Sequence, residues 1–280
     1  MKSDHISMFN FSNKIDEEEN EDALRINENS NYHLFAMSDG AGGAGIYCKE
    51  WAKYIVNNQP EFPILSNEEA NKWFQKISKS FYKFIKPTVN YDNIFIGERF
   101  DSEGSYATLL YVWICKTEKK YFISGIGDTT LFHFIKKNED YTISLIEPIN
   151  KQLSLNDNPE LLNWQKALEY SLLSKSVDYK NGDTIIICTD SLSRRIIYQL
   201  LLINQFETEQ CLNENINKTY RRDFLEHLKI NQRIFKMNEF VNYLRNLIAM
   251  SPDSFREELR KWVERNELEK DDYSFIIIDL

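Results

Sequence analysis

The chain has 280 residues, of which 42% are hydrophobic and 28% charged, as expected for a globular protein with a substantial core. The formal net charge of -9 argues against a nucleic-acid surface, which would need a basic patch. No apolar stretch reaches the roughly 20 residues that span a bilayer, no signal-peptide pattern opens the chain and the cysteines form no Cys-x-x-Cys pair, so we expect a cytoplasmic protein without a membrane segment.

The first third of the chain is predicted to contain two strands and two helices. An edge strand is predicted at residues 5–11 and a buried strand at His33–Ser38. Apolar residues follow with helical spacing at Gly45–Asn58. Residues 66–85 begin with the form of a capping box and continue with an apolar residue at every fourth position. This pattern predicts a second helix that ends before Pro87.

The middle of the chain is rich in β-branched and aromatic residues, which favour strands. Short polar or glycine-containing turns separate four such segments, so we predict an antiparallel meander. The segments are Tyr106–Cys115, Tyr121–Ser124, Thr129–Phe134 and Tyr141–Ile146.

The last part of the chain is predicted to be mainly helical, with buried strands at Thr184–Thr189 and Ser274–Asp279. Helical patterns cover residues 158–177 and, in several segments, residues 193–265. The predicted core residues of the second region are Phe224, Leu225, Leu228, Ile234, Phe240, Leu244 and Leu247. Because strands bracket the helices and no flexible linker interrupts the chain, we predict one α+β domain over residues 1–280, with a helical segment at about 193–266.

Acidic residues stand at the ends of three predicted strands. Asp39 follows the first, Asp190 follows the second, and Asp271 with Asp272 precedes the last. Carboxylates that gather at one place repel one another, and a hard divalent cation relieves that repulsion. Mg²⁺ and Mn²⁺ prefer such oxygen ligands, whereas the 4 scattered histidines do not suggest zinc.

The glycines of residues 34–45, LFAMSDGAGGAG, follow Asp39 directly. Four of the 9 glycines of the chain lie in this stretch. A glycine lets its backbone carbonyl approach a metal ion, because no side chain blocks the way. A tight turn from strand to helix with no ligand is an equally good interpretation of this stretch alone. The pattern does not match a dinucleotide-binding fingerprint.

A series of short blocks, in the right order, resembles the metal-dependent protein phosphatases (PPM-type, the type 2C protein Ser/Thr phosphatases), and the Asn-, Lys- and Ile-rich composition suggests a divergent bacterial member. Each block alone is weak, but together they cover residues 20–280. The blocks are NEDA at Asn20–Ala23, FAMSDGAGG at Phe35–Gly43, GSYAT at Gly104–Thr108, GIGDT at Gly125–Thr129, GDTIIICTD at Gly182–Asp190 and DDYSFIII at Asp271–Ile278.

The resemblance implies a four-layer αββα sandwich, in which two antiparallel sheets are flanked by helices, with two Mg²⁺ or Mn²⁺ ions at one end. It also implies roles for individual residues, the catalytic ones being Asp39, Asp190 and Asp271. The implied roles are Asp39 as the bridging carboxylate, Gly40 as a carbonyl ligand, Glu21 as a ligand of the second ion, Asp190 and Asp271 as ligands of the first, Asp22 as a supporting carboxylate and Asp128 at a weaker third metal site.

The resemblance further implies hydrolysis of phosphoserine or phosphothreonine by a water or hydroxide held on the two metals. A phosphorylated protein is the expected substrate, with a cognate Ser/Thr kinase or its targets as partners and with no nucleic acid or membrane involved. Two alternatives remain. One is a catalytically weak or inactive pseudophosphatase that acts as a binding or regulatory module, and the other is a phosphatase for a small molecule. The five oxygen ligands together favour an active enzyme, because an empty carboxylate cluster destabilises a fold.

Several positions depart from the family pattern. Glu17 stands where the family has an Arg that grips the phosphate, and Ser191 stands where it has Gly. Arg194 stands where the family has an Asp, which weakens the case for a third metal. We therefore hypothesise that Arg194 or Arg195 supplies the missing phosphate contact. The alternative is that they form a basic pair on the surface of a helix.

Overall fold

We describe the fold from a computed structural model. The structure describes residues 6–12, 20–147, 159–168, 172–203 and 236–280. The chain divides into two units. Unit 1 contains Met1–Asn20, Thr130–Asn158 and Lys180–Leu280, and unit 2 contains Glu21–Thr129 and Pro159–Tyr179.

Strands and helices are numbered in chain order over the described residues. The strands are β1 (Ile6–Ser12), β2 (Ala23–Glu28), β3 (Tyr32–Ser38), β4 (Tyr106–Ala107), β5 (Leu109–Cys115), β6 (Lys120–Ile126), β7 (Thr130–Lys137), β8 (Asp140–Glu147), β9 (Leu162–Asn163), β10 (Leu173–Asp178), β11 (Thr184–Cys188) and β12 (Asp272–Asp279). The α-helices are α1 (Cys48–Asn57), α2 (Asn67–Ile85), α3 (Ile94–Ser102), α4 (Asp190–Leu202), α5 (Met237–Ala249) and α6 (Pro252–Glu264).

Unit 2 is built on a five-stranded antiparallel sheet in the order β10-β6-β5-β3-β2. Helix α1 packs on β2, β3 and β5, and aromatic side chains fill the space between sheet and helices. Fully buried members of this core are Trp51, Phe81, Phe100, Tyr111 and Trp113. Buried aromatic side chains contribute much of the apolar area that stabilises such a core. The sheet carries β3 in its interior, and Asp39 follows β3 directly.

The capping box predicted before the second helix is present at α2. The Ser66 hydroxyl accepts the Glu69 N–H at 3.2 Å, and the Glu69 carboxylate accepts the Ser66 N–H at 3.2 Å. These bonds satisfy backbone donors that the first turn of a helix otherwise leaves without a partner. The helix ends at Ile85, and a short 3-10 helix at Lys86–Thr88 contains Pro87.

Unit 1 is built on a second five-stranded antiparallel sheet, in the order β1-β12-β11-β7-β8. Strand β11 runs beside β12 with Cys188 opposite Phe275. Helix α4 packs on β12, and α5 packs on β8 and β1. The core of this unit includes Phe132, Ile186, Phe240, Leu244, Leu247, Trp262 and Tyr273. The antiparallel pairing of β11 with β12 places the end of β11 beside the start of β12. Asp190 lies just after β11, and Asp271 lies just before β12.

The predicted α+β class with antiparallel sheets and flanking helices is confirmed. Helices are also confirmed after Asp190, at α4, α5 and α6. The predicted core residues Phe240, Leu244 and Leu247 are buried. Phe224, Leu225, Leu228 and Ile234 lie outside the described residues, as does Glu17. Over the described part of the chain, no helix is both long and apolar enough to cross a bilayer.

The predicted helix at residues 158–177 is wrong. In its place, β9 pairs with β4, and β10 pairs with β6 from Leu173 opposite Gly125 to Asp178 opposite Lys120. This segment is a strand because it pairs with β6. Most residues of β10 are exposed and few are apolar, so its own sequence indicates a strand only weakly. Tertiary context overrides weak local preference in such edge strands.

The predicted meander is also only partly correct. Strands β5 and β6 pair, and so do β7 and β8, but β6 and β7 belong to different sheets. The link between them contains Gly127 with φ of 97°, where a β-carbon would lie 2.7 Å from Cγ2 of Thr108. A glycine is therefore needed where the chain leaves the first sheet. The sequence patterns also failed to indicate β2 and α3.

Candidate functional site

The backbone of Asp39 is held on both sides by Thr108. The Asp39 N–H donates to the Thr108 hydroxyl at 2.8 Å, and the Thr108 N–H donates to the Asp39 carbonyl at 2.9 Å. The Thr108 hydroxyl also contacts the Thr129 hydroxyl at 2.6 Å, and the Ser38 hydroxyl donates to the Thr108 carbonyl at 2.6 Å. These bonds fix the point from which the Asp39 side chain starts.

The glycine turn after Asp39 is packed against Glu21. The Gly42 N–H donates to the Glu21 carboxylate at 3.0 Å and to the Gly40 carbonyl at 3.0 Å. A β-carbon on Gly42 would overlap the Glu21 carboxylate, and one on Gly40 would lie 2.8 Å from the carbonyl oxygen of Cys48. Backbone atoms therefore restrict position 40 to glycine, whereas a β-carbon at position 42 would push the end of the flexible Glu21 side chain away from the turn.

The oxygen donors of unit 2 are of the chemical kind that a hard divalent ion binds. The Glu21 carboxylate and the Gly40 carbonyl lie at the same turn, and Asp39 is the residue immediately before Gly40. Mg²⁺ and Mn²⁺ prefer such carboxylate and carbonyl oxygens. Asp22 is buried beside Glu21, and Asp128 precedes Thr129 in the link after β6.

In unit 1, Asp190 is the first residue of α4 and already faces a cation. Its Oδ1 atom accepts the Ser191 N–H at 2.6 Å, and its Oδ2 atom lies 2.6 Å from Nη1 of Arg194. The same Nη1 atom lies 2.9 Å from Oε2 of Glu269. Arg194 is 4% exposed, so its guanidinium bridges two carboxylates inside the protein.

Asp271 joins this network through Ser191. The Ser191 hydroxyl donates to Oδ2 of Asp271 at 3.1 Å, and the Asp272 N–H donates to Oδ1 at 3.0 Å. The Asp271 N–H donates to the Tyr273 hydroxyl at 3.2 Å, which in turn donates to the Glu269 carbonyl at 2.5 Å. The structure thus brings Asp190 and Asp271 together, as the pairing of β11 with β12 requires.

The carboxylates of unit 1 already face a cation that the chain itself supplies. Their chemistry is suitable, but Arg194 already compensates part of their charge and would repel a divalent ion beside Asp190. Among the residues that the structure describes, no group of three or more His, Cys, Asp or Glu side chains is arranged to hold a metal ion.

The family follows from a comparison of the sequence with known families. The profile described as Protein phosphatase 2C matches residues 12–233. The chain belongs to the protein phosphatase 2C family. The matched range includes Glu21, Asp39 and Asp190, whereas Asp271 lies beyond its end. A search of curated protein sequences found no match.

Solved structures of bacterial phosphatases share the protein phosphatase 2C fold seen here. A variant of a bacterial serine phosphatase is 16% identical with a TM-score of 0.52, covering 99% of this chain and 98% of that one. The serine/threonine phosphatase Stp1 of Staphylococcus aureus is 14% identical with a TM-score of 0.51, covering 99% and 94%. The serine/threonine phosphatase of S. agalactiae is 14% identical with a TM-score of 0.50, covering 99% of both chains.

Arg194 and Arg195 are not a surface pair, contrary to the alternative weighed for this member of the protein phosphatase 2C family. Arg195 is 9% exposed, donates to Gln199 at 3.3 Å and stacks 5.3 Å from the ring centre of Trp262. Its Nη2 atom lies 3.9 Å from a Glu267 oxygen. Contact of Arg194 or Arg195 with phosphate stays a prediction, and the burial of both side chains speaks against it.

Sequence patterns missed two groups that shape the site. Thr108 holds Asp39, and its only signal is its place at the end of the GSYAT block. Glu269 holds Arg194 across 75 positions of sequence, and its only signal is its nearness to Asp271 in the chain. Neither contact could be deduced from local spacing.

Proposed function

We propose that the protein is a metal-dependent protein serine/threonine phosphatase. Its membership of the protein phosphatase 2C family supports this function. The observation that carries the proposal is the turn after Asp39, where the Glu21 carboxylate accepts the Gly42 N–H at 3.0 Å and where a β-carbon on Gly40 would lie 2.8 Å from a backbone oxygen. This packing brings the Glu21 carboxylate and the Gly40 carbonyl, two of the ligands that the family resemblance implies, to the same turn.

We propose that Mg²⁺ or Mn²⁺ ions are held by the residues that match the family ligands. In unit 2 these are Glu21, Asp39 and Gly40, with Asp22 as a supporting carboxylate and Asp128 at a weaker third position. In unit 1 they are Asp190 and Asp271. Two such ions, when bound, would supply a hydroxide nucleophile near neutral pH and neutralise negative charge on the phosphoryl group.

Hydrogen bonds from Ser191 and Thr108 orient these ligands. The Ser191 N–H holds one oxygen of Asp190, and the Ser191 hydroxyl holds one oxygen of Asp271. Thr108 holds the backbone of Asp39. Such supporting bonds fix the direction of a ligand and tune its affinity for a metal.

The proposed substrate is a phosphorylated protein, such as a target of a cognate Ser/Thr kinase. A phosphate monoester carries a charge of about -1.5 to -2 at pH 7, so an acidic protein needs bound cations to attract it. The proposed cytoplasmic location rests on the sequence alone.

A second candidate function is that of a weak or inactive phosphatase that acts as a binding module. The ion pair of Arg194 with Asp190 favours it, because a guanidinium already satisfies a carboxylate expected to bind metal. This candidate predicts a folded protein that releases no phosphate with any metal.

Hydrolysis of a phosphothreonine peptide in EDTA, Mg²⁺ or Mn²⁺ tests the proposal. We expect metal-dependent release by the native protein and its loss in Asp39→Asn. The matched control is Asp178→Asn. The Asp178 side chain is 85% exposed on β10, and its ion pair with Lys120 is weak because the two atoms are 4.0 Å apart. No release from folded native protein would instead support the binding module.

A further inference from the structure

The Arg194 guanidinium lies at a carboxylate that the family resemblance assigns to metal. Its Nη1 atom is 2.6 Å from Asp190 and 2.9 Å from Glu269, so one cation bridges both side chains. We propose that Arg194 is a built-in counter-cation of Asp190, which stabilises the metal-free protein and competes with a divalent metal ion for that carboxylate. The part that concerns metal rests on the function proposed above.

Burial makes this bridge strong. The side chains of Arg194 and Glu269 are 5% and 3% exposed, and that of Asp190 is 13% exposed. Charges with little access to water interact more strongly, because the surroundings screen them less. An arginine also stays protonated in proteins, so its charge is present at every working pH.

The start of α4 holds Arg194 beside Asp190. The two residues are four positions apart and therefore share one face of the helix. The Ser193 hydroxyl donates to the Thr189 carbonyl at 2.9 Å, and the Ser193 N–H donates to the same oxygen at 3.0 Å. These bonds stabilise the first turn of α4 and so keep the Arg194 backbone near Asp190, while Glu269 restrains the guanidinium.

Two opposite consequences follow for the protein. Without metal, Asp190 and Glu269 would repel each other, and Arg194 turns that repulsion into attraction. With metal, a divalent ion at Asp190 must displace the guanidinium or share a carboxylate with it. Arg194 thus favours a stable metal-free protein and weakens metal binding at Asp190.

Neutralising Arg194 should change metal affinity and metal-free stability in opposite directions. For Arg194→Gln we expect at least about tenfold tighter Mn²⁺ binding, because a neighbouring positive charge is removed. In EDTA we expect its Tm to fall by about 5–15 °C, because two buried carboxylates lose their cation. The paramagnetic resonance signal of free Mn²⁺ measures binding, and calorimetry measures Tm, so neither readout depends on catalysis.

Three further variants sharpen the test. Arg260→Gln removes an exposed arginine, 3.8 Å from Glu257, and should change neither quantity. Asp190→Asn combined with Arg194→Gln should lose the gain in Mn²⁺ affinity. Glu269→Gln removes one of the two carboxylates that share the Arg194 guanidinium, so more of its charge falls on Asp190 and Mn²⁺ binding should weaken. This last variant keeps the test decisive if Arg194→Gln does not fold.

Tighter Mn²⁺ binding by Arg194→Gln, lost again in the double variant, supports the proposal whether or not the protein hydrolyses phosphate. Equal or weaker binding overturns it, as does an absence of Mn²⁺ binding by both proteins. Unchanged or tighter binding by Glu269→Gln also overturns it. Failure of the proposed function is seen separately, as native protein that binds Mn²⁺ and releases no phosphate.

Discussion

Thr108 and Asp39 are joined by reciprocal hydrogen bonds, at 2.8 Å from the Asp39 N–H to the Thr108 hydroxyl and at 2.9 Å from the Thr108 N–H to the Asp39 carbonyl. Thr108 is buried, and its hydroxyl also contacts that of Thr129. A residue between β4 and β5 therefore holds the backbone of Asp39, from which the carboxylate that follows β3 extends.

Replacement of Thr108 with valine keeps the shape of the side chain and removes its hydroxyl. The Asp39 N–H then loses its acceptor, so we expect the free energy of unfolding to fall by about 1–3 kcal/mol. Urea denaturation measures this loss, with Thr117→Val at an exposed turn as the control. We also expect weaker Mn²⁺ binding, because Thr108 would then hold Asp39 by only one of the two bonds. Unchanged stability and unchanged metal binding would show that Thr108 does not position Asp39.

Gly42 and Gly43 offer a matched pair of substitutions in one turn. A β-carbon on Gly42 would overlap the Glu21 carboxylate, whereas one on Gly43 has no atom within 4 Å. We expect Gly42→Ala to lower the free energy of unfolding by about 0.5–1.5 kcal/mol, because the Glu21 carboxylate would have to leave the Gly42 N–H. It should also weaken Mn²⁺ binding by moving Glu21. We expect Gly43→Ala to be neutral or to stabilise by up to about 1 kcal/mol.

Urea denaturation and Mn²⁺ titration of the two alanine variants check this pair. Equal effects at both positions would mean that Glu21 does not lie against Gly42. A loss of stability in Gly42→Ala without any loss of Mn²⁺ binding would mean that Glu21 packs on the turn but does not hold a metal.

The strands that lead to Asp39 and Asp190 could be predicted from the sequence. Both β3 and β11 are short runs of buried apolar residues, and such a run carries its signal locally. The carboxylate that follows each strand is then read directly from the chain. The position of these residues after strands was therefore a local property.

The predictions that failed concern segments whose structure depends on residues far away in the sequence. Strand β10 exposes most of its residues and is a strand only because it pairs with β6. Helix α3 exposes Ile94 and Phe95, so its apolar residues do not form a single buried stripe. The bridge from Arg194 to Glu269 joins residues 75 positions apart, and no local pattern encodes such a contact.

Arg195 provides a test of the predicted phosphate contact. Its side chain stacks on Trp262 and lies near Glu267, so we expect Arg195→Gln to lower the free energy of unfolding by about 1–3 kcal/mol. We expect the KM for a phosphopeptide to stay unchanged, because the buried guanidinium does not reach the substrate. Steady-state kinetics and urea denaturation measure the two effects. A raised KM with unchanged stability would support the phosphate contact instead.

His133 should make the stability of unit 1 depend on pH. Its Nε2 atom lies 3.3 Å from Asp183, and both side chains are buried. Burial lowers the pKa of His133 below its ordinary value, although Asp183 acts in the opposite direction. The folded protein therefore binds this proton less readily than the unfolded chain, whose histidine has a pKa of about 6.5.

Neutral His133 makes its full contribution to the free energy of unfolding at pH values above the pKa of the unfolded chain. This contribution is lost as the pH falls below that pKa. We expect the free energy of unfolding of the native protein to fall more steeply between about pH 7 and pH 5 than that of His133→Gln, which cannot titrate at this position. Urea denaturation across this range gives both curves. Parallel curves would mean that His133 titrates alike in the folded and unfolded chains, and a steeper curve for His133→Gln would mean that Asp183 outweighs burial and raises the pKa of His133.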